Sequence, residues 1–154
     1  MSMAGLATDA LIEGIDGPTA AGSLEGKSLP VLTRFSDGRI GFRIMGKFAR
    51  TSAPVPIVRI VFENLRSVRV SADQMFFRTP MNPVAAADLK PGEGIEVSWD
   101  YREGYRPVDL PERRPSDRSL RVQSVVAEGV EEAFSAPIHE TGVFFLTCGA
   151  LLKT

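Results

Sequence analysis

Two side chains carry the groups most often used for nucleophilic and acid–base chemistry near neutral pH: the thiol of Cys148 and the imidazole of His139, each the only one of its kind among 154 residues. A catalytic pair of this sort needs a third group to orient the base. None is evident, and Cys148 falls in the apolar stretch "GVFFLTCGALL" (142–152), where inert burial is the commoner fate of a thiol. A single cysteine cannot close an intramolecular disulfide, and one histidine with one cysteine excludes the His/Cys-rich zinc spacings. No Gly-rich phosphate loop, catalytic carboxylate pair or metal set stands out, so neither cofactor nor metal is expected.

The densest run of functional groups is "YREGYRPVDLPERRPSDR" (101–118), with Tyr101, Arg102, Tyr105, Arg106, Arg113 and Arg114. Arginines beside aromatics are what phosphate contacts and base stacking use. Here Asp100, Glu103, Asp109, Glu112 and Asp117 are interleaved and cancel most of that field. The chain as a whole carries a net charge of −1 with a pI near 5.9, so no nucleic-acid partner is expected. Three prolines and no periodicity make 101–118 an exposed loop whose tyrosines and arginines suit a protein partner.

The elements that must hold these groups read as strands. Helical periodicity is nowhere sustained over a dozen residues, whereas β-branched runs punctuated by turn signals recur throughout. In "PVLTRFSDGRIGFRI" (30–44), Asp37-Gly38 separates two apolar stretches, and Ile40, Phe42 and Ile44 alternate with Arg39, Gly41 and Arg43. That pattern predicts a half-buried hairpin. "VPIVRIVF" (55–62) and "SVRVS" (67–71) form a second hairpin, "QMFFRT" continues it or starts the next strand, and Pro91-Gly92 suits a type II turn that delivers "IEVSW" as a further strand. "LRVQSVVAEGVEEAFSAPI" and "GVFFLTCGALL" supply two or three closing strands. Trp99 alternates with Val97 and Tyr101 and is read as a sheet residue. Residues 1–22, small and Gly-rich with Gly17-Pro18 as a break, read as an N-terminal arm ahead of a β-domain over 23–154. At 16.7 kDa one core is enough, and a composition 44% hydrophobic and 24% charged is that of a self-folding domain. The N-terminal stretch has no basic flank and no run of about 18 apolar residues, so neither a signal peptide nor a membrane span is expected and the default location is cytoplasmic.

In order along the chain, four segments resemble the Hint superfamily, the fold of inteins, hedgehog autoprocessing domains and bacterial intein-like domains. "SLEGKSLPVLTRFSDGR" (23–39) is similar to the motif that begins with the nucleophile and runs into a strand with a D-G turn, with Ser23 nearest the nucleophile. "SVRVSADQMFF" (67–77) resembles the strand followed by T-x-x-H, with Ser71 and Gln74 at the two polar positions. "AAADLKPGEGIEV" (85–97) resembles A-x-D-L-x-x-G-D. "EEAFSAPIHETGVFFLTCGALLKT" (131–154) resembles the closing motif, with Lys153 and Thr154 where the family has histidine and asparagine. The loop 101–118 lies where inteins carry their endonuclease or linker.

The resemblance implies an all-β, Hint-like horseshoe of short, mostly antiparallel strands with little helix. It also implies a lost reaction, because Gln74 does not titrate near neutral pH and cannot protonate a leaving amide nitrogen, and Lys153 and Thr154 cannot provide asparagine cyclisation. The expectation is a self-processing fold kept as a structural or protein-interaction module, engaging a protein partner or larger assembly. Two alternatives stay open: residual N-terminal processing through Ser23, and an unrelated β-barrel or sandwich that binds through the Arg/Tyr-rich loop.

Overall fold

A computed structural model describes residues 4–97, 119–138 and 140–154. Along the chain the strands are β1 (Leu11–Gly14), β2 (Gly17–Ala20), β3 (Leu29–Arg34), β4 (Ile40–Met45), β5 (Ala49–Arg50), β6 (Val55–Phe62), β7 (Ser67–Ser71), β8 (Met75–Arg78), β9 (Asn82–Ala85), β10 (Gly94–Glu96), β11 (Ser119–Glu131), β12 (Phe134–Ser135), β13 (Val143–Phe145) and β14 (Leu151–Lys153). Single turns of 3-10 helix at Ala21–Leu24 and Ala86–Asp88 are the only helical elements among the described residues. The class is all-β, as the strand-length apolar runs imply.

The strands form a four-stranded sheet in the order β2-β1-β3-β4, a larger sheet in the order β13-β14-β8-β10-β11-β6-β7 with β9 beside β8, and a two-stranded ribbon of β5 and β12. Every named strand pairing is antiparallel. β11 ties the larger sheet together, pairing with β10 at its start and with β6 over the rest. Its register shifts between Val122 and Ser124 and again between Ala127 and Val130, where Gly129 takes φ +79°. Bulges of this kind bend a strand and raise its twist, which curls the sheet around one main core. Ile12, Phe62, Phe76, Ile95 and Leu146 lie fully buried there, each side chain contributing about 1.5–3 kcal/mol by leaving water.

The Asp37-Gly38 hairpin forms between β3 and β4. Gly38 takes φ +88°, and the carboxylate of Asp37 accepts the Arg39 amide at 3.0 Å. Its apolar stripe is not half-buried, however: Ile40, Phe42 and Ile44 are 38%, 40% and 62% exposed. Alternation sets which residues share a face but not which face is covered, and β4 ends its sheet. "QMFFRT" begins a separate strand, β8, after a turn at Ala72 and Asp73.

Residues 4–22 are part of the folded body and not an arm. Leu6 exchanges backbone hydrogen bonds with Phe134, both at 2.8 Å, and the Ala7 amide donates to Arg69 at 3.1 Å, so this segment lies between β7 and β12. Leu6, Ala7 and Ile12 are 0–1% exposed. Gly17, with φ +103°, opens β2 directly after the turn from β1, so Gly17-Pro18 starts a strand where the sequence suggests a break. Three well-buried apolar residues are enough to anchor the segment because its backbone is paired on both sides, a gain that helical spacing does not reveal.

Candidate functional site

Ser71 closes β7, and its hydroxyl is fully buried. It accepts the Gly5 amide at 2.9 Å and donates to the Asp73 carboxylate at 2.9 Å. The Ser71 amide in turn donates to the Gly5 carbonyl at 2.9 Å, so this serine grips one residue from both sides. Directly after it the chain turns, with the Gln74 amide donating to the Ser71 carbonyl at 3.0 Å. That turn sends the Gln74 side chain towards β14, where Nε2 donates to the Lys153 carbonyl at 2.8 Å and to the Met75 carbonyl at 3.2 Å. Gln74 is 3% exposed. Thr154 is held by its amide and hydroxyl on the Gly142 carbonyl, at 2.9 and 3.2 Å.

Residues 4–6 and 153–154 therefore meet around one five-residue segment, 71–75, beside a cleft of ≈ 640 Å³ lined by Ala4, Leu6, Gln74, Phe134, Lys153 and Thr154 among others. Of the five candidate site residues, Ser71, Gln74, Lys153 and Thr154 come together. Ser23 does not: it is exposed in the 3-10 turn, donates to the Ala20 carbonyl at 2.7 Å and contributes nothing to the cleft. Cys148 sits half-buried in the turn before β14 and not in a strand. Trp99, His139, the loop 101–118 and its candidate partner-binding residues Tyr101, Arg102, Tyr105, Arg106, Arg113 and Arg114 lie outside the described residues.

The chemistry open to this arrangement is limited by geometry. A Ser71 oxygen on the N–H line of Gly5 lies in the plane of the Ala4–Gly5 peptide, whereas attack on the Ala4 carbonyl requires approach from above that plane. Ser71 is thus a hydrogen-bond acceptor for this peptide and not its nucleophile. Gly5 has no side chain to serve, and one cannot be added freely. A Cβ there would meet the Ala133 Cβ at 2.9 Å and the Phe134 backbone at 3.0 and 3.1 Å. Among the described residues no group of three His, Cys, Asp or Glu side chains could hold a metal ion.

The ionic network lies elsewhere, on the sheet formed by β6, β7 and β11. Arg59 and Arg69 face each other across β6 and β7, and Glu128 bridges them at 2.8 and 2.7 Å. Arg69 also pairs with Asp9 and Glu131. Hydrogen bonds from Arg59, and then Arg69, hold the Glu128 carboxyl below its usual range, while Glu128, and then Glu131, raise Arg69. This network offsets the like charges of two opposed arginines.

No protein-family model and no curated protein matches the sequence. Solved structures do. A variant of the Ssp DnaB mini-intein superposes with a TM-score of 0.80 at 13% identity, covering 98% of this chain and 93% of its own. A bacterial intein-like domain from Clostridium thermocellum gives 0.73 at 11% identity, with 100% of both chains covered. This chain has the Hint fold. No helix of the described residues is long and apolar enough to cross a membrane.

A DnaB intein from Synechocystis matches with a TM-score of 0.76 at 13% identity over 98% of this chain and 99% of its own. Gly5, the residue that Ser71 grips, escaped the sequence reading because a search for nucleophiles passes over glycine. The available signal was Asp16-Gly17, the same dipeptide as Asp37-Gly38, which marks residues 11–20 as a hairpin and places the segment before it inside the fold.

Proposed function

We propose that this Hint-fold protein performs no self-splicing or self-cleavage and serves as a protein-interaction module. The observation that carries the reading is at Gly5. The glycine occupies the place beside Ser71 from which a first-residue side chain would attack the preceding carbonyl, and Ala133 and Phe134 leave no room for such a side chain. An acyl shift needs that nucleophile, a proton for the departing nitrogen and a polarised carbonyl together. Gln74 supplies a hydrogen-bond donor that is already committed to the Lys153 and Met75 carbonyls, and it has no proton to transfer. At the other side of the cleft, Thr154 has no side-chain amide that could cyclise.

What the residues do instead is join. Ser71 and Gln74, three positions apart, fasten the two distant segments to one turn, so the fold keeps its cleft while the chemistry has gone. Incubating the full-length protein with hydroxylamine or a thiol and weighing it tests the reading. An unchanged mass supports it, and any shortened chain overturns it.

A further inference from the structure

Arg34 closes β3 and ties the smaller sheet to the larger one. Its Nη2 donates to the Val97 carbonyl, just past β10, at 2.6 Å, and its guanidinium stands 5.7 Å from the centre of the Phe145 ring in β13. Nη1 donates to the sulfur of Met81 at 3.5 Å and lies 3.6 Å from the Glu96 carboxylate. The other oxygen of that carboxylate accepts the Met81 amide at 3.2 Å, in a turn where Met81 takes φ +56°. Met81 is thus fixed through its backbone while its side chain stays open. It is 43% exposed, whereas Met45 is 1% exposed and Met75 half-buried. Of these three methionines, Met81 is the one whose sulfur accepts a guanidinium hydrogen bond.

We propose that Met81 is a modification site oxidised to the sulfoxide by hydroperoxides, with Arg34 assisting the step. The sulfur lone pair attacks the hydroxyl oxygen of a hydroperoxide, so an S–O bond forms and the O–O bond breaks. The departing oxygen takes up the proton of the transferred one and leaves as water or an alcohol. Sulfur gives up two electrons and the hydroperoxide is reduced. Negative charge builds on the departing oxygen before the proton reaches it, and an N–H donor already placed there lowers the barrier. Nη1 carries a second N–H, and Glu96 at 3.6 Å is too distant to hold it in a hydrogen bond. The Arg34 side chain is 23% exposed, so a small hydroperoxide reaches both groups. In the product, the sulfoxide oxygen is a stronger acceptor for the same guanidinium than the thioether it replaces, which places the modification on the arginine that joins the two sheets. The proposal stands apart from the interaction-module reading.

Peptide mapping by mass spectrometry, after timed exposure of the full-length protein to dilute hydrogen peroxide, reads each methionine by its gain of one oxygen. Met81 oxidises fastest of Met45, Met75 and Met81. It also oxidises about threefold to tenfold faster in the folded protein than in the same protein unfolded in urea, the worth of one hydrogen bond made in the transition state. Exposure alone gives the opposite order, because unfolding uncovers the whole side chain. Arg34→Ala opens the site further yet brings the Met81 rate down to the unfolded value, and Arg34→Lys keeps part of the gain. A folded-state rate at or below the urea rate overturns the proposal. So does an Arg34→Ala protein that oxidises at Met81 as fast as the parent, or a parent in which Met45 or Met75 reacts as fast as Met81. The folded-against-unfolded comparison uses no variant, so it decides the proposal even where Arg34→Ala fails to fold.

Discussion

The amide of Gly5 donates to the hydroxyl of Ser71 at 2.9 Å, and the carbonyl of Gly5 accepts the Ser71 amide at the same distance. Sixty-six positions separate the two residues, yet each satisfies the other's polar groups in a buried setting. The pairing fixes the N-terminal segment in the fold. Its energetic content can be measured directly.

Ser71→Ala removes the acceptor for the buried Gly5 amide, which costs about 1–3 kcal/mol in denaturant unfolding. Asp73→Ala removes only the outer partner, on an exposed side chain, and costs about 0.5 kcal/mol or less. Equal effects from the two substitutions would contradict the buried clasp.

Gly5→Ala forces its new methyl against Ala133 and the Phe134 backbone, an overpacking penalty of about 1–3 kcal/mol. Ala133→Gly removes the nearest obstructing atom. The double variant should therefore recover part of the loss, giving a favourable coupling in the double-mutant cycle. Additive losses would mean that Ala133 does not set the limit at position 5.

Gln74→Glu turns a buried donor into a carboxylate facing the Lys153 and Met75 carbonyls. The two carbonyls cannot donate to a carboxylate, and the loss is about 3 kcal/mol at neutral pH. Burial favours the protonated form of the introduced acid, so stability returns as the pH is lowered through its raised pKa. A variant as stable as the parent at pH 7 would place Gln74 outside the closed interior.

The Glu128 network predicts acid sensitivity of a defined sign. Arg59 and Arg69 hold the folded-state pKa of Glu128 below the 4.5 of the free side chain. The unfolded chain therefore takes up this proton first, so the stabilisation is complete above 4.5 and is lost as the pH falls through the lower folded value. Glu93, depressed mainly by Arg78, contributes in the same window and with the same sign. Unfolding midpoints measured from neutral to acid pH should fall more steeply for the parent than for Glu128→Gln.

Much of this architecture was legible in the residues. Asp37-Gly38 and the β-branched runs 55–62 and 67–71 mark their hairpins because strand periodicity and turn chemistry are local properties. Ser71 and Gln74 were visible as polar positions at the end of an apolar strand; Gln74 lines the cleft, while Ser71 is buried against Gly5. Two features depended on tertiary context. The exposed stripe of Ile40, Phe42 and Ile44 follows from β4 being the last strand of its sheet, which no local pattern encodes. The role of Gly5 follows from its neighbours Ser71 and Ala133, because a glycine has no side chain to announce a site. Ser23 attracted attention for the opposite reason: it has a hydroxyl, and the fold spends it on a local turn.

The central claim, that the Hint fold is retained here without self-processing, is tested most directly by intact-mass measurement of the purified full-length protein after prolonged incubation with hydroxylamine and thiol. The account predicts a single species at the mass of the 16.7 kDa chain. A product that begins at Gly5 or at Ser23, or any other shortened chain formed without a protease, would contradict it.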